Sequence, residues 1–444
     1  MPPCSYRYVL IKAEGGQIIC PCSDPLPCCF SGKSLMSLKR KLPSDIIRTG
    51  LIIANVVLSL MIIHLIVDIY STLNTSPPEV VKSSETNCKC KDILGDGSIG
   101  SWVRGHTSER LRYLPPSKLT DREIRRQLFL PDQIYRNDLR CGWDNPLVDF
   151  TLPAACDPDS HHFCCNEKFG WCGNTTDHCQ QEGSVDFKKL VPTNEAVWKP
   201  TSNECKLVEF SPKDACNLMS KNQINLIFMG DSEARKFLTA FLLLLTGDIE
   251  KGVLRRDISD PQFESCHWEL QLLNEDCHTI VEDSSIRLED PDSCGYNNAF
   301  LVEYYPDFDT FLTSRTTERI KSLFKVKNTY IIFNGGVHFN ANSQAMLNYY
   351  LRYVVDLLKD QKWPKLIVET LPKTPSVVLS DQRRRFKNAI VEFCSKHKIP
   401  VFDNFELGTN LQSYDGKHFS LPYYMQKVHI LLGYLKETTE PCSL

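Results

Sequence analysis

Residues 224–237 read INLIFMGDSEARKF, and this stretch decides the fold class. Its first six residues form an apolar run of strand length. The run stops at Gly230-Asp231-Ser232, and a helix-like segment follows over 234–245. Ser and Asp are favoured helix caps, so Ser232 reads either as a cap or as a nucleophile at the end of a buried strand. Downstream the pattern repeats. FLVEYY (300–305), TYIIFN (329–334), KLIVET (365–370) and IPVFDN (399–404) read as strands. Helical stretches are expected at 343–358 and 381–396, with an amphipathic helix at 422–436. Strands alternating with helices predict a parallel sheet covered on both faces. Sites in such sheets form outside the carboxyl ends of the strands.

Ser232 falls at that mouth. Gly230 permits a tight turn, and the start of the next helix offers backbone N–H groups and a positive dipole end to an anion. A serine hydroxyl needs a base to activate it. SYDGKHF (413–419) supplies Asp415 and His418 after the last strand, where a loop can return to the same mouth. His418 would take the serine proton, and Asp415 would fix its tautomer. FNGGVHF (333–339) offers oxyanion donors: the Asn334 amide and the backbone of Gly335 and Gly336. His338 is a second candidate base. His429 reads as a structural histidine, Arg383-Arg384-Arg385 as a solvated helix face, and Glu369 as a strand terminus.

Gly-Asp-Ser with an arginine three residues on (Arg235), together with the terminal D-x-x-H, resembles the PC-esterase branch of the SGNH/GDSL hydrolase superfamily. Relatives in that branch include trichome-birefringence-like polysaccharide O-acetyltransferases, the sialate O-acetyltransferase catalytic domain and the neurexophilin-and-PC-esterase proteins. The G-x-H-F at 336–339 is similar to the last of these. The resemblance covers roughly residues 205–440. It implies a flavodoxin-like, three-layer α/β/α domain and acyl-ester chemistry on a sugar. It makes Ser232 the nucleophile, His418 the base, Asp415 its orienter, and Arg235 a substrate-binding residue. N-G-G stands where the superfamily has G-x-N-D, which leaves the oxyanion donor open.

The remainder of the chain sets the compartment. Of 444 residues, 42% are hydrophobic, and the net charge of -3 gives no field to recruit nucleic acid. Residues 50–67 carry no charged side chain and would span roughly 27 Å as a helix, near the thickness of a bilayer core. Lys33, Lys39, Arg40, Lys41 and Arg48 precede the span. Positive-inside reasoning therefore predicts a single-pass type II protein, with 1–49 as a cytoplasmic tail, 68–87 as a stem and the rest in the Golgi lumen or outside the cell. The tail's Cys4, Cys20, Cys22, Cys28 and Cys29 suit acylation or a metal clip. Fifteen further cysteines lie beyond the span, where disulfides form. An odd number leaves a free thiol or an inter-chain bridge.

Residues 88–204 read as a disulfide-stapled region, with an α/β domain over 205–444. Within the first, 156–179 resembles a hevein-type chitin-binding module: Cys164-Cys165, then Trp171-Cys172-Gly173, then Cys179. That resemblance implies sugar stacking by Phe169 and Trp171, with His178 at the third aromatic position. A disulfide-stapled spacer is the other reading. Asn174 lies in a glycosylation sequon. His161, His162 and His178 beside cysteines raise zinc, but an oxidising compartment favours disulfides, so no metal is expected. No cofactor is implied, and transfer rather than hydrolysis would require an acyl-donor partner. A glycan is the expected substrate. The competing reading is an inactive carbohydrate-binding or adhesion protein.

Overall fold

The computed structural model describes residues 11–13, 16–18, 93–105, 139, 141, 156–157, 159–166, 170–181, 184–192, 196–201, 207–253, 266–274, 277, 294, 300–306, 314–338, 340–375, 377–413 and 418–440. The chain divides into two compact units, Met1–Thr86 and Asn87–Leu444. In the first, Ile11–Ala13 pairs antiparallel with Gly16–Ile18. The expected membrane span and stem lie outside the described residues. Among the described residues, no helix is long and apolar enough to cross a membrane.

The second unit is built on a five-stranded parallel sheet. Helix α1 (Pro212–Lys221) begins where the Ser211 hydroxyl accepts from the Asp214 amide at 3.1 Å. Strand β1 (Asn225–Gly230) is buried from Leu226 onward, as a strand covered on both faces must be. Helix α2 (Ser232–Thr246) closes at Gly247 in the left-handed conformation, φ 67°. Then follow β2 (Val302–Pro306), α3 (Ser314–Ser322), β3 (Thr329–Asn334) and α4 (Ser343–Met346). A π-helical turn (Leu347–Leu351) leads into α5 (Arg352–Leu358). The sequence ends with β4 (Lys365–Glu369), α6 (Val377–His397), β5 (Val401–Phe402) and α7 (Leu421–Thr439). The strand order is β5-β4-β3-β1-β2. The winding therefore reverses between β1 and β3, where open α/β sheets leave a crevice.

Alternating side chains divide the interior into two cores. Leu226, Phe228, Tyr330, Ile332, Ile367 and Phe402 belong to the core with α1, α2 and α7. Ile227, Met229, Ile331, Phe333, Leu366 and Val368 belong to the core with α3, α5 and α6. The run Leu242, Leu243, Leu244 and Leu245 anchors α2, since each is at most 1% exposed. Burial of one such side chain contributes about 1.5–3 kcal/mol.

Two expectations are corrected. Helix α7 is not amphipathic, because twelve of its 19 residues are buried, Lys427 and His429 included. The Arg383–Arg385 run is not wholly solvated. Arg383 is buried and donates to the Pro372 carbonyl at 3.0 Å, while Arg384 and Arg385 are exposed. Part of the region before residue 205 also joins the α/β core. Gly100–Arg104 pairs antiparallel with Ala196–Pro200, setting Trp102 opposite Trp198 with ring centroids 5.2 Å apart. The Trp102 indole donates to the Leu407 carbonyl at 2.6 Å, and Val191 bridges to Leu411.

The disulfide module is a small three-stranded sheet of Cys164–Asn166, Trp171–Gly173 and Ser184–Asp186. Cys141–Cys165, Cys156–Cys172 and Cys164–Cys179 staple it, so the vicinal pair reaches two different partners. Sulfurs of Cys141, Cys156 and Cys165 cluster within 4.8 Å, but all three are in disulfides and offer no thiolate to a metal. Cys216–Cys294 and Cys266–Cys277 staple the α/β part. These five bridges among the described residues suit a secreted or lumenal setting. Cys394 is a free thiol buried on α6, and burial pushes its pKa up to about 12, so it is not placed for an inter-chain bridge. Cys88, Cys90, Cys205 and Cys442 lie outside the described residues.

Candidate active site

The turn after β1 is built to present Ser232. Gly230 has φ 139°, a conformation that disfavours any side chain, and a Cβ there would stand 1.4 Å from the Asn334 carbonyl oxygen. The Tyr304 hydroxyl, from neighbouring β2, donates to the Gly230 and Asp231 carbonyls at 3.1 and 3.3 Å. Asp231, not Ser232, is the cap of α2, its Oδ1 accepting from the Glu233 amide at 3.1 Å. Ser232 is thus relieved of capping and stands as the first helical residue, half-buried.

His418 reaches the serine from the far end of the chain. Its Nε2 lies 2.8 Å from Ser232 Oγ, across 186 residues. The His418 carbonyl accepts from the Ser413 hydroxyl. With Nε2 toward the hydroxyl, the imidazole acts as a base when its proton sits on Nδ1. The expected partner of Nδ1, Asp415, lies outside the described residues.

Two of the predicted oxyanion donors, Asn334 and Gly336, bond within the protein. Asn334 is wholly buried, and its Nδ2 donates to Glu369 Oε2 at 2.7 Å, turning the amide into the protein. The Gly336 and Val337 amides donate to Asp231 Oδ2 at 3.1 and 2.9 Å. The loop after β3 is therefore clipped to the serine turn instead of facing a substrate. Gly336 has φ 139° against Phe386, which explains that glycine by backbone and packing. Gly335 is buried, and a Cβ there would meet Met346 at 3.5 Å, an ordinary contact. Arg235 stands one turn after Ser232 and is 7% exposed. The alternative base His338 is exposed on the loop after β3. His429 is buried, its Nδ1 accepting from the Phe210 amide at 3.1 Å, and burial lowers its pKa to about 4.

Beneath the serine turn lies a set of buried charges, of which sequence reasoning singled out only Arg235 and Glu369. Asp231, Glu233, Glu369, Arg235, Lys236 and Lys427 are all buried. Such residues are seldom buried, and clusters of them mark functional sites. Lys427 Nζ binds Glu369 Oε2 at 2.7 Å with both side chains fully enclosed, over the Phe237 ring at 4.3 Å. Asn404 Nδ2 is a third donor to that oxygen, at 3.0 Å. The Tyr424 hydroxyl donates to Glu233 Oε1 at 2.8 Å. Burial raises the pKa of Asp231 against the lowering bond from the Glu233 amide, and burial likewise raises Glu369 against the pull of Lys427. The signal available was the placement of Lys427 inside an apolar run, YYMQKVHILL.

In the disulfide module Trp171 is 46% exposed. Beside it the His178 ring packs on Gly173, and its Nδ1 lies 2.7 Å from Thr175 Oγ1. Phe169 lies outside the described residues, and the sequon residue Asn174 is exposed. No protein-family model matches the chain, and no curated protein matches its sequence.

Proposed function

We propose that the protein is a lumenal glycan O-acyl hydrolase or transferase, acting on O-acetyl esters through an acyl-enzyme on Ser232. The observation that carries this reading is the 2.8 Å approach of Ser232 Oγ to His418 Nε2 at the carboxyl edge of the sheet, beside the winding reversal. In the first half-reaction Oγ attacks the ester carbonyl, its proton passes to His418 Nε2, and the sugar alkoxide leaves with that proton. Water then releases the acyl group, or a sugar hydroxyl accepts it, which makes hydrolysis and transfer rival outcomes of one intermediate. Asp415, three residues before the base, is assigned to hold the Nδ1 proton.

The oxyanion donor is reassigned to the backbone at the start of α2. Early helical N–H groups have no partner within their helix, and the Ser232 amide is the first of them. Asn334 and Gly336 then support the site from below. The strand order is that of flavodoxin-like folds, which suits the SGNH-type domain the motifs resemble. Five disulfides support the lumenal or cell-surface placement expected of a type II protein.

The test is hydrolysis of an aryl acetate by the purified 444-residue chain. Ser232→Ala and His418→Ala are each expected to lower turnover by ~10⁴-fold. Rates in both variants unchanged from wild type would reject the serine mechanism. Exposed Trp171 favours a second reading, sugar binding without catalysis. Glycan-array binding that survives Ser232→Ala and is lost in Trp171→Ala would support it.

A further inference from the structure

The serine and its base belong to different parts of the chain. Ser232 opens α2, whereas His418 precedes α7 by three residues. Something must hold α7 against the serine turn if the 2.8 Å approach is to persist. Two polar ties do so, and both start on one turn of α7. The Tyr424 hydroxyl donates to Glu233 Oε1, on the residue beside Ser232. Lys427, three residues on, binds Glu369 Oε2, which also takes the Asn334 amide. Asn334 in turn accepts the Asp231 amide through its own carbonyl, at 3.2 Å. Each tie therefore runs from α7 to a neighbour of the nucleophile.

The ties are costly for the fold. Glu233 Oε2, Glu369 Oε1, Asn334 Oδ1 and Asn404 Oδ1 are buried with no hydrogen-bond partner among the described residues. An apolar filling would carry none of that desolvation cost. A network kept despite its cost suggests a role other than stability.

We propose that Tyr424 and Lys427 are positioning residues, which hold α7, and with it His418, in register with Ser232 through Glu233 and Glu369. The inference rests on the hydrolase reading above and refines it. Neither residue touches the reacting atoms. Small losses of alignment at a reacting pair cost up to ~100-fold in rate.

The test follows phosphonylation of Ser232 by a fluorophosphonate, in the 444-residue chain. Oγ forms a bond to phosphorus, the P–F bond breaks, fluoride leaves, and His418 takes the proton. Tyr424→Phe removes one oxygen atom, and Lys427→Met/Glu369→Gln removes the second tie without leaving a lone charge. In each folded variant the limiting labelling rate is expected to fall about 10–100-fold, with the half-saturating probe concentration unchanged. Glu233→Gln keeps an acceptor for Tyr424 and is expected to label like the wild type. A purely structural role would lower the labelled fraction but not the limiting rate, so wild-type rates in the folded variants overturn the proposal. Wild-type protein that fails to label would instead reject the hydrolase reading, and the proposal with it. Should one variant not fold, the other decides alone.

Discussion

Lys427→Met offers the sharpest check on the buried charge network. Lys427 and Glu369 are both fully enclosed, with Nζ and Oε2 2.7 Å apart. Methionine keeps the length and polarisability of the stem that lies over Phe237, so little packing is lost. What remains is a carboxylate with no cation. Breaking a buried pair from one side costs about 3–5 kcal/mol. At about 2 °C per kcal/mol in a unit of this size, Tm should fall by roughly 6–10 °C. The deficit should depend on pH, and its sign is fixed. Burial already raises the pKa of Glu369, and Lys427 is the main group pulling it back. Without Lys427 the folded pKa rises further above the unfolded value. An acid raised in this way takes up its proton more readily when folded, so stability recovers as pH falls and is lost as pH rises through the folded pKa. Thermal unfolding followed by circular dichroism at about pH 5 and about pH 8 reads both effects, and Lys427→Met/Glu369→Gln should regain most of the loss. A deficit under about 1 kcal/mol, one that grows on acidification, or a double variant no better than the single would each refute the argument.

Two further outcomes follow from the geometry. Gly230→Ala should destabilise the protein by about 3 kcal/mol or more and abolish labelling of Ser232, because the added Cβ enters the Asn334 carbonyl at a φ of 139°; denaturant titration with probe labelling reads both. His429 should make the protein acid-sensitive. Its folded pKa lies at about 4 against an ordinary 6.5, so stability is fully present above 6.5 and lost as pH falls toward 4, by up to ~3 kcal/mol. His429→Gln keeps an acceptor for the Phe210 amide, and the wild type should lose stability relative to it on acidification, as read by urea titration.

The parts of the fold with regular periodicity were legible in the sequence. All five strands of the sheet and the helices over 234–245, 343–358, 381–396 and 422–436 lie within a few residues of their expected places. Their apolar runs match the two-sided burial that a parallel sheet imposes. The Ser232–His418 pair was legible because serine at a strand end and histidine before the last helix share one edge of such a sheet. Less legible were features set by tertiary contact alone. Asn334 looked like a donor to substrate, yet a glutamate 35 residues on claims its amide. Gly336 looked like part of an oxyanion hole, yet Asp231 accepts from it. Arg383 looked solvated because its neighbours are, while the Pro372 carbonyl draws it inward. The pairing of Gly100–Arg104 with Ala196–Pro200 joins segments about a hundred residues apart through no local pattern.

That antiparallel ribbon bears on how the protein is made. Its Trp102 grips the Leu407 carbonyl across 305 residues, a short way before the loop that ends at His418. Contacts so distant in sequence form slowly, after local helices and hairpins. During synthesis the docking of Trp102 onto Leu407 must therefore wait for nearly the whole polypeptide to emerge. Fragments beginning at 205 would lack the ribbon, and those ending before 418 would lack the His418 partner of Ser232. Reactivity at Ser232 should accordingly appear late and all at once, which makes it a reporter of completed folding for the entire unit from residue 87 onward.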